Sequence, residues 1–200
     1  ICMTPDGRNA IIGYEDGIAC LWGLNDATNG VKFEGEHEEA VRSVCITLDG
    51  DFVITGSDDS SACLWDLKTG AMIRKFEGHD GHDDCVNSVC ITLDGKHLVT
   101  GSDDKTARLW CIDNGTMVRK FKGHSGGVWS VCVAPDGKHL ATGSLDDTAR
   151  LWLLEDATMV HEFRGHGADI NSICVTPDKK YLITGSDDET ARLWKIDDGT

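Results

Sequence analysis

Short apolar runs, broken at near-regular intervals by Asp, Gly and Asn, make up almost the whole chain. From Val86 the run VNSVCITL is followed by Asp94-Gly95, then KHLVTGS, the Asp103-Asp104 pair, TARLW from Thr106, Asn114-Gly115 and TMVRKF ending at Phe121. Asp-Gly and Asn-Gly supply the backbone angles that tight hairpins need, so the pattern predicts four short antiparallel strands in succession. The runs are apolar on both faces rather than cleanly alternating, as expected of sheets sandwiched between neighbouring sheets. No stretch carries the periodicity of an amphipathic helix of useful length.

The same unit recurs. TGSDDKTARLW from Thr100 returns as TGSLDDTARLW from Thr142 and TGSDDETARLW from Thr184, with a worn copy, TGSDDSSACLW, from Thr55 and a more divergent IGYEDGIACLW from Ile12. The closing tryptophans, Trp22, Trp65, Trp110, Trp152 and Trp194, lie 42 to 45 residues apart. A period of that size marks a stacked-repeat architecture whose core lies between neighbouring units, so no domain boundary is expected inside it. The units run approximately over 1–36, 37–78, 79–123, 124–165 and 166–200. The expected fold is all-β, a β-propeller of four-stranded antiparallel blades with about five present. The chain opens on ICMTPDG, which aligns with VCVAPDG at Val131, and stops at WKIDDGT, soon after the fifth closing tryptophan. Both ends fall inside a unit, so the expectation is part of a larger ring, with apolar blade faces uncovered at each end and association through them.

A Gly-His pair precedes the first strand of three units, at Gly81-His82, Gly123-His124 and Gly165-His166, and His37 follows an interrupted Gly35-Glu36. Each of these histidines lies 28 residues before its closing tryptophan. On these residues the chain resembles the WD-repeat family of β-propellers over essentially its whole length. The resemblance implies a hydrogen-bonded tetrad in each blade. By position it falls on His37, Thr55, Asp59 and Trp65; His82, Thr100, Asp104 and Trp110; His124, Thr142, Asp146 and Trp152; and His166, Thr184, Asp188 and Trp194. The first unit departs from it: Ile12 stands at the Thr position and the histidine would precede residue 1, leaving Asp16 and Trp22. The Trp-Asp pair itself survives only at Trp65-Asp66.

The resemblance also implies a partner-binding rim around a central channel. The residue after the first strand's opening Val or Ile is Arg42, Asn87, Trp129 and Asn171, and the variable residue of each GS-x-D turn is Asp58, Asp103, Leu145 and Asp187. Trp129 is the one tryptophan outside the closing series. Trp and Arg are the side chains most often found as energetic anchors at interfaces.

Charge narrows the partner. With 19 basic and 34 acidic side chains the net charge is −15, which disfavours nucleic acid and favours a basic peptide or protein surface. The absence of a long apolar run or a charged-then-apolar leader leads to the expectation of a soluble protein of the cytoplasm or nucleus. Of nine cysteines, Cys2, Cys45, Cys90, Cys132 and Cys174 share one repeat position. They read as small buried hydrophobes in a reducing compartment, too far apart to bridge. No CxxC pair argues for zinc.

Thr, His and Asp suggest a nucleophilic triad, but the set recurs in four units and its hydroxyl is committed between Trp and His. The stretch GHDGHDD, Gly78 to Asp84, offers His79 and His82 amid aspartates; His82 keeps the tetrad register, which leaves His79 as an extra. The GSDD turns lack calcium-loop spacing. No catalytic residue, metal or cofactor is assigned. The reading is a non-enzymatic protein-interaction scaffold, and the rival is an enzyme or metal-binding propeller using the central pocket.

Overall fold

The computed structural model describes residues 1–25, 29–77 and 80–200. They form five antiparallel sheets in chain order. The first holds β1 (Cys2–Met3), β2 (Asn9–Gly13), β3 (Ala19–Gly23) and β4 (Asn29–Phe33), and the second β5 (Val41–Ile46), β6 (Phe52–Ser57), β7 (Ala62–Asp66) and β8 (Met72–Phe76). In the third are β9 (Val86–Ile91), β10 (His97–Ser102), β11 (Thr106–Cys111) and β12 (Met117–Lys122). The fourth has β13 (Val128–Val133), β14 (His139–Ser144), β15 (Thr148–Leu153) and β16 (Met159–Arg164), and the fifth only β17 (Ile170–Val175), β18 (Tyr181–Ser186) and β19 (Ala191–Lys195).

The hairpin between the first two strands of a sheet is built by its own side chains. The Thr92 hydroxyl donates to Asp94 Oδ1 at 2.5 Å, Asp94 Oδ1 accepts the Lys96 N–H at 3.0 Å, and Gly95 takes φ 68°. Thr4-Asp6, Thr47-Asp49 and Thr176-Asp178 repeat the device. In the fourth sheet Ala134 replaces the Thr, and Asp136 is held instead by His139 Nδ1 at 2.6 Å.

The core lies between sheets. Ile54, Leu64 and Phe76 of the second pack with Val86, Val89, Leu98 and Trp110 of the third, and the same arrangement recurs at the next two junctions. At each junction the outer-strand phenylalanine meets the closing tryptophan of the following sheet, as in Phe76–Trp110, with ring centroids 5.9 Å apart. Such edge-on pairs add to the area buried. The innermost strands are stitched by serine: Ser43, Ser88 and Ser130 Oγ accept the N–H groups of Val89, Val131 and Ile173 at 3.1 to 3.2 Å. Close approach requires glycine at Gly101, where an added Cβ would lie 2.8 Å from Val131 Cγ1 and 2.9 Å from Val128 Cγ1.

Among the described residues no strand of the first sheet packs against the fifth as successive sheets pack on each other. The arc is open, and Ile183 and Leu193 on the fifth sheet are exposed.

The cysteines correct one expectation. All nine are free, but Cys2, Cys45, Cys90 and Cys132 are half-buried rather than buried, and Cys174 is exposed. Their strands line the inner side of the arc, which leaves part of each residue open. The sulfurs of Cys45, Cys90 and Cys132 nonetheless lie in dry surroundings where sheets meet. Burial pushes the Cys90 thiol up to about 12 and that of Cys45 well above its ordinary value. Cys174 sits on the open sheet and has no neighbour to cover it.

Candidate functional site

The structure brings together all four residue sets assigned as tetrads. In the third sheet Trp110 Nε1–H donates to Thr100 Oγ1 at 2.9 Å, and Thr100 Oγ1 lies 2.6 Å from His82 Nε2. His82 Nδ1 lies 2.8 Å from Asp104 Oδ2. Because the Thr oxygen already accepts from Trp, its proton goes to Nε2, and Nδ1–H then donates to the carboxylate. The His–Asp distances in the other three sets are 2.9, 2.8 and 2.7 Å. Each set ties the loop before a sheet's first strand to the turn between its second and third strands, which accounts for the fixed 28-residue interval.

Burial opposes charge on Asp104, but hydrogen bonds from His82 and Thr106 and the Arg108 guanidinium hold its carboxyl far below the usual range. Burial also lowers His82, and Asp104 only partly compensates, so the imidazole is neutral near pH 7. Arg108 reaches Asp104 Oδ2 at 2.9 Å and also donates to the Asp80 and Gly81 carbonyls. With its hydroxyl held between Trp110 and His82, Thr100 has no free oxygen to act as a nucleophile.

The first sheet differs from expectation. Trp22 Nε1–H donates to the Tyr14 hydroxyl at 2.8 Å, so Tyr14 supplies the oxygen that Ile12 lacks. Asp16 caps its own turn by accepting the Ile18 N–H. The two-residue offset between Ile12 and Tyr14 hides this replacement in the sequence.

The rim residues form pairs. Arg42 Nε donates to Asp58 at 2.8 Å, Asn87 Nδ2 to Asp103 Oδ1 at 2.7 Å, and Asn171 Nδ2 to Asp187 Oδ1. Trp129 breaks the series because its own turn carries the half-buried Leu145, which has no acceptor to offer. The indole Nε1–H reaches back to Asp103 Oδ1 of the preceding sheet at 3.0 Å. Trp129 remains 40 % exposed, with its ring fixed at one edge.

Two clusters of acids on this end were missed in the sequence. Asp84 and Asp103 gather with Cys85, their ligand-type atoms within 4.8 Å of one another. Burial, with Asp58, Asp84 and Asp103 nearby, pushes the Cys85 thiol up to about 11. Asp169 is raised by burial and by Asp147 and Asp187. Asp84 and Asp169 stand just ahead of their sheets' first strands, outside the two repeat positions singled out, so only the fold places them on the rim. Of the GHDGHDD stretch, His79 lies outside the described residues and His82 belongs to its tetrad. Asp103 already accepts from Asn87 and Trp129, so the Asp84-Cys85-Asp103 group is organised as part of the rim's hydrogen-bond pattern.

No helix among the described residues is long and apolar enough to cross a membrane. No curated protein matches the chain. The sequence model of the family described as WD domain, G-beta repeat matches residues 31–66, 70–111, 115–152 and 157–195. Each match begins in or just ahead of the outer strand of one sheet and ends at the third strand of the next, so the repeat in sequence is offset by one strand from the sheet in space. With these matches spanning well over half its length and its strands arranged as successive antiparallel sheets of four strands, the last of three, the chain belongs to the WD40 family of WD-domain, G-beta repeat proteins.

Proposed function

We propose that the protein is a non-enzymatic interaction module whose rim, at the end carrying Asp58, Asp103, Asp187 and Trp129, receives a basic peptide or protein surface. WD40 repeats are in general protein-interaction scaffolds rather than enzymes. The observation that carries the finer reading is Trp129: a large exposed aromatic ring held by Asp103, on the end of the sheets that also carries Asp58, Asp84, Asp169 and Asp187. An aromatic anchor on an acidic end suits an apolar or cationic side chain flanked by Lys or Arg. Arg42 is engaged by Asp58, so it does not cancel the acids further round. Nine free thiols, with those of Cys45 and Cys90 strongly raised by burial, support a reducing compartment, the cytoplasm or nucleus.

The test is affinity capture from a cell lysate with the folded wild type and Trp129→Ala, followed by titration of the captured partner's basic segment. Loss of more than about 1 kcal/mol in the variant, with affinity falling as salt rises, is the expected result. Equal binding by the two proteins would move the site off this rim.

A further inference from the structure

At the end opposite the rim, the third and fourth sheets enclose a cleft of about 650 Å³. Its apolar side is made by Leu93, Leu109, Val118, Leu153 and Leu154, of which Leu93 and Val118 are exposed. That size falls within the roughly 300 to 1,000 Å³ typical of ligand pockets.

Arg119 lines the same cleft. It pairs with Leu109 across β11 and β12 and shares the face that Leu109 turns toward the fourth sheet. Its Nε is buried without a hydrogen-bond partner, and no hydrogen bond or ion pair of its guanidinium occurs among the described residues. Two other arginines also have an unpaired buried Nε, but their guanidinium groups are anchored elsewhere: Arg74 Nη2 donates to the Asp113 carbonyl at 2.9 Å, and Arg108 is held by Asp104.

The contrast with Arg74 has a local cause. Arg74 holds the same position one sheet earlier, and its stem lies against Gly115, where an added Cβ would sit 2.9 Å from Arg74 Cδ. The equivalent residue facing Arg119 is Ala157, in a turn of the same design: Gly115 N–H donates to the Cys111 carbonyl and Ala157 N–H to that of Leu153. Both are left-handed, at φ 74° and 60°. The Ala157 methyl therefore fills the space an arginine needs to reach the Glu155 carbonyl, the counterpart of Asp113. Gly70 and Gly199 hold this turn position in the second and fifth sheets, so among the described turns the fourth alone has a left-handed residue with a Cβ there; the first-sheet counterpart, Ala27, lies outside the described residues. Arg119 lines the cleft without that anchor, and it helps to lower the carboxyl of Asp156 in the same turn without a direct hydrogen bond or ion pair to it among the described residues.

A buried N–H without an acceptor is costly, and a guanidinium fork matches a carboxylate. Two acids of the cleft are tied into their own turns: Asp94 by Thr92 and the Lys96 N–H, Asp136 by the Lys138 N–H and His139. With Glu155 they outnumber the cleft's two cations, Arg119 and Lys138, by one, which disfavours a dianion such as phosphate more than a single carboxylate.

We propose that this cleft binds a peptide segment of a partner protein in which an Asp or Glu carboxylate, held by Arg119, stands beside an apolar side chain seated on the leucine floor. The site is independent of the rim and opposite to it in the charge it selects.

The test uses fluorescence polarisation with end-blocked hexapeptides carrying a central Leu-Asp-Leu or Leu-Glu-Leu, compared with Leu-Asn-Leu. The acidic peptides are expected to bind about tenfold or more tightly than the Asn peptide. Arg119→Gln should abolish that preference. Ala157→Gly should weaken acidic-peptide binding, because Arg119 can then fold back onto the Glu155 carbonyl as Arg74 does on Asp113. Arg74→Gln and Trp129→Ala should leave it unchanged, and circular dichroism checks that each variant is folded. Equal binding of acidic and Asn peptides, no binding of either, or a preference that survives in Arg119→Gln would overturn the proposal. So would tighter binding of a phosphoserine peptide than of its Asp counterpart.

Discussion

The two middle strands of the third and fifth sheets are nearly the same sequence, HLVTGSDDKTARLW against YLITGSDDETARLW, in different surroundings. Val99 and Leu109 are 0 % and 6 % exposed, while their counterparts Ile183 and Leu193 are 37 % and 60 % exposed. Arg108 is buried against Asp104 and two carbonyls, whereas Arg192 is exposed over the Trp194 ring. The tetrads of the two sheets are equally well formed, with the His–Asp bond 2.8 Å in one and 2.7 Å in the other. Local hydrogen bonding therefore follows from each unit's own residues, and burial follows from whether another sheet lies on top.

The largest expected effect separates the two tetrads. Asp104→Ala strands the buried Arg108 and His82 and should cost about 3 to 5 kcal/mol in denaturant unfolding. Asp188→Ala, with Arg192 already in solvent, should cost less than half as much. Similar losses at both sites would show that the fifth sheet is as well enclosed as the third.

Truncating the apolar face comes next. Leu109→Ala should destabilise by about 2 to 4 kcal/mol, because it removes contacts and leaves a cavity against the fourth sheet. Leu193→Ala, on the open face, should stay within about 0.5 kcal/mol.

Glycine sharpens the same contrast in the opposite direction. Gly101→Ala drives a methyl into Val128 and Val131 and should cost about 1 to 3 kcal/mol. At Gly185 the nearest atom to an added Cβ is Ser172 Cβ at 3.8 Å, so Gly185→Ala should be neutral or stabilise by about 0.4 to 1 kcal/mol through the unfolded chain.

The smallest effect is on pH. His82 and Asp104 both hold lower values in the folded protein than in the unfolded chain. The unfolded state therefore binds more protons as pH falls, and stability is fully present above about 6.5. It declines as pH drops through the ordinary histidine value, and more steeply below about 4 as unfolded carboxylates protonate. Thermal melts at pH 8 and pH 5 should show the lower midpoint at pH 5, and His82→Gln should shrink the difference. A midpoint that rises on acidification would contradict this.

Much of the fold was legible because each strand and hairpin is specified within a few residues. Thr92, Asp94 and Gly95 make their turn by themselves, and the His-to-Trp interval marks a side-chain chain that spans a single sheet. Tyr14 was hidden because it supplies the missing oxygen from a different strand position. The pairing of Arg42, Asn87 and Asn171 with the turn acids follows repeat positions visible in the sequence, but the bond from Trp129 to Asp103 crosses between sheets and follows from the loss of an acceptor at Leu145. Asp84 and Asp169 reach the same end through loops whose course no periodicity describes.

By itself the sequence determined the strands, their order, the tetrads and the family, since all of these rest on contacts between residues of one repeat. Only the tertiary structure decided which faces are covered, which cysteines are dry, and where Arg119 is left without a partner. Those properties belong to junctions between units. Near-identical repeats meet different neighbours there, so a single methyl at Ala157 or an uncovered sheet changes the outcome while the repeat itself reads the same.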